Sequence, residues 1–314
     1  MLNIFLKKEV FLVKFPILFP LLYLTVLYTF PNFETQLVFI TILLLAETHF
    51  GATWPFFLSK VNFPHIIKNK IAFIYVPILV TILCFLSFFL IKNIFLLIFF
   101  AANVYHVTRQ SFGITNLYTK DLDQKKNFVN TIYIFNFIFF FIAFFRFYIP
   151  IITNDYLLTL NILIIFLLIS VFIYFIYKFK FSENFLTMVT GVLIFYPVCF
   201  VSNPVHAIIM GVTMHYSQYL FLTNKVLTKR ENEKISLTEE NFLFKNKFLI
   251  TIIIYSIIMS VLSIFGKNES DFLSSLIIIP ITGQMLHFYL DSQLWKFSES
   301  HNRENILKYL TGVS

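Results

Sequence analysis

Four histidines of this chain lie inside long apolar runs. They are His49 in Glu47-Thr48-His49-Phe50-Gly51, His106 in Tyr105-His106-Val107-Thr108-Arg109-Gln110, His215 in Met214-His215-Tyr216-Ser217-Gln218-Tyr219, and His287 in Leu286-His287-Phe288-Tyr289-Leu290-Asp291. Titratable side chains are costly in an apolar setting, so those that persist there are functional candidates by default. Neutral imidazole is a good ligand for iron, zinc and copper. Four such groups can hold one metal ion with open positions, or share two with Glu47 and Asp291.

Residues four positions further on share the helical face of each histidine: Thr53, Gln110, Tyr219 and Asp291. All are polar or amphipathic, suited to hydrogen-bonding the ring nitrogen that faces away from a metal and so fixing the ring. Four positions back stand Leu45, Ala102, Gly211 and Gly283, mostly small, which lets helices approach or leaves room for a ligand. Glu47, two positions before His49, falls on another face; it is expected to act as a base, as an extra ligand or as the charge partner of Arg109. Arg109 would otherwise bind an anionic group on a substrate or reach toward headgroups. Tyr216 and Tyr289, each beside a histidine, and Gln218 are candidates to line a pocket.

Zinc in catalytic sites more often takes three protein ligands and a water, so a histidine-rich centre in lipid points to Fe(II) and oxygen chemistry on an apolar substrate, a lipid or an isoprenoid. A redox partner would supply electrons. Three other classes use the same residues differently. A haem-binding electron carrier would use matched histidines as axial ligands, and a proton-coupled transporter would use Glu47, Arg109, His215 and Asp291 as a relay. A membrane transferase would use one histidine as a base. His65, His206 and His301 are expected to be interfacial, and Trp54 and Trp295 to belong to an aromatic belt. Cys84 and Cys199, inside apolar runs, read as packing residues.

The elements that must position these groups follow from composition. The sequence is 58% hydrophobic and 13% charged with a mean hydropathy of +0.81, whereas soluble domains hold roughly 45–50% apolar and about 25% charged residues. Crossing ~30 Å of hydrocarbon takes roughly 20 apolar residues. Ten runs qualify, near 9–30, 35–58, 71–91, 93–112, 128–149, 157–177, 185–201, 204–223, 248–266 and 272–296. The expected fold is all-α: a single polytopic transmembrane bundle over 1–314, with a polar cytoplasmic connector at 224–247. With the N-terminus inside, the outer segments hold only Lys92 and Lys267, and nearly all other Lys and Arg stay inside. Both termini would then be cytoplasmic, in a multi-pass protein of a bacterial inner membrane.

The net charge of +8 is explained by basic loops facing anionic lipid and requires no nucleic acid. The first run is too long, and Tyr28-Thr29-Phe30-Pro31 too bulky, for a cleaved signal peptide. The four histidines fall on the second, fourth, eighth and tenth runs, all descending toward the cytoplasm. Counting residues to the inner helix ends puts them at depths of roughly 9 to 14 Å, in one slab.

His49-Phe50-Gly51 in an early helix, His215 in a late one and His287 with Asp291 in the last resemble the pattern of the Brp/Blh family of membrane β-carotene 15,15'-dioxygenases. That resemblance implies a helical membrane fold, a histidine-ligated iron and oxidative cleavage of a carotenoid. The chain departs from the family in lacking an N-terminal Pro-His-Gly segment and a paired His-x3-His in the eighth run, and in its number of helices.

Overall fold

The computed structural model describes residues 8–119, 125–148, 154–235, 247–268 and 274–311. Among these residues every regular element is helical and none is a strand, as expected where backbone N–H and C=O groups must be satisfied within their own segment. In chain order the first helices are α1 (Leu18–Thr29), α2 (Glu34–Thr41), α3 (Glu47–Phe57), α4 (Phe63–Lys68), α5 (Val76–Leu90) and α6 (Lys92–Tyr118). There follow α7 (Lys125–Tyr148), α8 (Asn154–Phe179), α9 (Glu183–Leu193), α10 (Pro204–Ile235), α11 (Lys247–Asn268) and α12 (Ile278–Leu294), and then the short C-terminal helical turns of 300–311.

Five continuous stretches are long and apolar enough to cross a membrane: Pro31–Phe57, Ile71–Leu90, Asn130–Phe147, Tyr156–Phe179 and Phe248–Gly266. Their outward faces carry bare Leu, Ile and Phe side chains, among them Ile78, Leu86, Phe137, Leu158, Phe166 and Ile254. So much exposed apolar surface suits lipid and not water. The runs at 93–112, 204–223 and 272–296 do not reach the same standard, because the polar residues that make them chemically interesting dilute their hydropathy. The run at 185–201 is helical only to Leu193 and then tightens into a 3₁₀ turn, Tyr196–Cys199.

The chain forms two compact units. One comprises 1–38 and 104–218, the other 39–103 and 219–314, so α2, α6 and α10 each contribute residues to both. In the first unit, α9 packs on α7, on α8 and on a π turn at Val10–Lys14. Side chains of other helices reach that turn's carbonyls: Ser217 Oγ donates to Leu12 O at 3.1 Å, Gln218 Nε2 to Val13 O at 2.7 Å, and Thr190 Oγ1 to Lys14 O at 2.8 Å. Arg146 and Asn161 each donate to Cys199 O at 2.6 Å, holding the 3₁₀ turn.

In the second unit, α3 packs on α11 and α12, and α12 packs on α5. Cys84, Phe88, Phe95, Ile278 and Ile281 form one apolar core. The close approach around α3 depends on two glycines. A Cβ on Gly51 would lie 2.9 Å from Tyr255 Cδ1, and one on Gly283 would lie 2.6 Å from the Tyr255 hydroxyl. Tyr255 of α11 is thus seated against α3 and α12 where neither has a side chain. A π turn, Ile42–Ala46, leads directly into Glu47; Ser256 Oγ donates to its Leu43 carbonyl and Thr48 Oγ1 to Leu44 O at 2.7 Å.

Candidate metal centre

α3 and α12 carry the polar cluster of the second unit. His49 and Thr53 lie one turn apart on α3, as do His287 and Asp291 on α12, and Tyr219 joins them from α10. His49, Thr53 and His287 are wholly buried, and Tyr219 and Asp291 nearly so. Four contacts tie the group together. The Tyr219 hydroxyl donates to Asp291 Oδ1 at 2.6 Å. Thr53 Oγ1 lies 2.9 Å from the Tyr219 oxygen, 2.5 Å from His287 Nδ1 and 3.4 Å from Asp291 Oδ1.

Counting protons fixes the direction of this chain. A hydroxyl has one proton to give. Tyr219 gives its own to the carboxylate, so the Thr53–Tyr219 contact is a hydrogen bond only if Thr53 donates. Thr53 then accepts from His287, whose proton must be on Nδ1. With Asp291 as a carboxylate, the order His287 Nδ1–H to Thr53 to Tyr219 to Asp291 supplies a proton to each of the three short contacts. The consequence is a fixed tautomer, with the lone pair on Nε2, the nitrogen a ligand would use. Asp291 Oδ2 lies 3.6 Å from that Nε2. Two electron-rich atoms facing each other at this distance are a natural setting for a cation.

His49 meets His287 edge-on, with ring centroids 4.4 Å apart and planes at 81°, and meets the Tyr219 ring at 4.5 Å. Two imidazoles bound side by side on one ion at ~2.1 Å would have centroids roughly 4.6–5.3 Å apart. The observed spacing is close to that, whereas axial ligation of one haem by this pair would demand roughly 6 Å. Nitrogen and carboxylate donors, all buried, therefore suit a borderline divalent metal such as Fe(II) or zinc.

In the first unit His106 of α6 and His215 of α10 form a second buried pair, with centroids 5.7 Å apart and planes at 87°. Tyr216 is buried beside His215, at 6.0 Å between centroids. Gln218 is committed to the Val13 carbonyl. Gln110 is half-buried, while Arg109 is exposed and donates to the Tyr105 hydroxyl at 3.3 Å.

In the second unit Tyr289 donates to Ala72 O at 2.8 Å, bracing the π turn Ile71–Tyr75. Glu47 is buried, its Oε1 accepting from Gln284 Nε2 at 3.3 Å, while no side chain or backbone group among the described residues bonds its Oε2. Its carboxyl faces Gln284.

Three groups of consequence have no sequence pattern that announces them. Tyr255 could have been suspected only from the two glycines that make its seat. His206, expected at an interface, is 3% exposed and bridges two partners: the Tyr23 hydroxyl lies 2.6 Å from its Nδ1, and Glu34 Oε1 lies 2.6 Å from its Nε2. His65 and His301, also expected at an interface, stack on one another. Comparison with protein-family models, with curated proteins and with solved structures gives no match for this chain.

Proposed function

We propose that this helical membrane protein is a metal-dependent oxidoreductase, with the two histidine pairs, His49 with His287 and His106 with His215, as metal ligands and Fe(II) as the metal. It would act on a lipid or isoprenoid that enters from the bilayer. The observation that carries this reading is the directed chain from His287 Nδ1 to Asp291, which presets the tautomer a ligand needs. A bound iron would supply dioxygen activation. The protein's own part is to orient the imidazoles, through Thr53 and Tyr219 for His287, and to keep the site dry. Glu47, with one carboxylate oxygen uncommitted, is the base available for a substrate proton.

In this reading the chain crosses a bacterial inner membrane ten times with both termini in the cytoplasm, as the distribution of Lys and Arg favours. The test is metal content. Purified protein is expected to contain stoichiometric iron and to lose it in His49→Ala/His287→Ala and in His106→Ala/His215→Ala. Absence of a stoichiometric transition metal, or its retention in both double variants, would overturn the proposal. A second reading, a proton-coupled carrier, is favoured by Glu47 alone, since an intramembrane carboxyl with an uncommitted oxygen suits a proton-carrying site. Proton-linked uptake by metal-free protein in liposomes would select it.

A further inference from the structure

The second unit contains a polar site outside the apolar runs, where the turn after α3 meets the C-terminal helical turns. His65 and His301 stack there face to face, with centroids 4.3 Å apart and planes within 3° of parallel. Each histidine has an asparagine four residues on: Asn69 Nδ2 lies 3.3 Å from His65 Nδ1 and donates to His65 O at 3.0 Å, while Asn305 Nδ2 lies 3.3 Å from His301 Nδ1 and donates to His301 O at 2.9 Å.

The asparagines specify the protonation state. Turning either amide over would set its oxygen against the backbone carbonyl, so each Nδ1 faces a donor and must accept. Asn62, 2% exposed, has its Nδ2 committed to Phe56 O at 2.8 Å and points its Oδ1 at His301 Nε2, 3.0 Å away. His301 therefore has its proton on Nε2 and none on Nδ1, the neutral ring. A proton added to Nδ1 of either ring would face an NH₂ group and, across the stack, another imidazole.

The charges around the pair act in both directions. Lys68 stands on the His65 side and Arg230 of α10 on the His301 side, with Glu299 and Glu304 opposing. Arg230 is buried, donates to Ser59 and lies over the Phe56 ring, and Glu299 is held at 2.8 Å by Lys296.

We propose that His65 and His301 form a proton-sensitive clasp that docks the C-terminal segment on the 59–70 turn at neutral pH and releases it on acidification. Burial, the leading cause, holds both rings below the ordinary histidine value; Lys68 adds to this at His65, and the partner ring and Arg230 add to it at His301. A histidine with a depressed folded-state value favours the closed form while neutral. The clasp's contribution is thus complete above about pH 6.5 and is lost as pH falls below it.

Hydrogen exchange by mass spectrometry on the full chain in nanodiscs tests this. After correction for intrinsic rates, peptides covering 59–70 and 299–311 are expected to exchange together roughly tenfold faster at pH 5 than at pH 7.5. His65→Phe keeps a stacking ring that cannot titrate and should move release to lower pH. Asn305→Asp places a carboxylate at Nδ1, stabilises the charged ring in place and should abolish release. Protection that does not change with pH in the wild type, or release at the wild-type pH in Asn305→Asp, would overturn the clasp, even if His65→Phe fails to fold.

Discussion

Thr53 is a small residue with three claims on its hydroxyl, which makes it the sharpest point at which to probe the second unit. Thr53→Val keeps the shape and removes the oxygen, and with it the contacts to His287 Nδ1 and to the Tyr219 hydroxyl. A buried polar group left unmet costs about 1–3 kcal/mol, and losing a residue that orients a ligand typically weakens metal binding about 10- to 100-fold. Thermal unfolding and metal titration are expected to show both losses for Thr53→Val and neither for Thr53→Ser. At His206, Glu34→Gln removes the charge of a half-exposed partner but keeps an oxygen that can accept from the ring. The loss should be no more than about 1 kcal/mol in unfolding measurements, without change in metal content, since His206 is no part of the proposed ligand set.

Among the elements, glycines mark where helices meet, and they divide into two kinds. A Cβ on Gly211 of α10 would lie 2.1 Å from the Ile194 carbonyl oxygen, whereas one on Gly113 of α6 would meet nothing within 4 Å. Backbone cannot yield as a side-chain tip can. Gly211→Ala is expected to destabilise by several kcal/mol, in the range of severe overpacking. Gly113→Ala should be neutral or stabilising by up to ~1 kcal/mol through helix propensity. Paired melting curves in one detergent decide this; a Gly211→Ala protein as stable as Gly113→Ala would mean that the backbone at Ile194 yields to a methyl group. The π turns lie beyond sequence reasoning for a related reason. Whether Val10–Lys14 widens depends on Thr190, Ser217 and Gln218 arriving from distant parts of the chain to claim its carbonyls, and no local propensity records that.

For the whole molecule, composition reaches a long way. The hydropathy of the chain and the period of its apolar runs make a helical membrane protein legible from sequence, and the residues named around His287 lie around it for a local reason: Asp291 and Thr53 sit one helical turn from a histidine, which spacing alone conveys. The partner of Glu47, the seat of Tyr255, the burial of His206 and the stack of His65 on His301 all depend on contacts between segments far apart in sequence. Arg109, weighed between interior and surface, lies on an exposed face. The proposed topology has its own check. Single cysteines placed at Glu34 and at Lys308 should react with an impermeant maleimide from opposite sides of sealed vesicles, Glu34 from outside only and Lys308 from inside only. Labelling of both from one side would exclude the ten-span arrangement.

The length of α10 has a final consequence. It runs unbroken for 32 residues, about 48 Å at 1.5 Å per residue, against a hydrocarbon layer of ~30 Å. If α10 spans that layer, as the ten-span proposal has it, a surplus of about 18 Å, roughly three turns, would lie outside it, and the residues at the far end of α10 include Lys225, Lys229 and Arg230. Lys229 Nζ donates to Tyr309 O at 2.9 Å and Lys225 Nζ to Leu310 O at 3.5 Å, meeting the bare carbonyls that end the last helix. In the proposed ten-span arrangement α10 would be a mast as well as a span: the stem that carries His215 would also lift an anchorage for the tail into water, so shortening it by one turn should unmoor the tail without touching a single residue of either histidine pair.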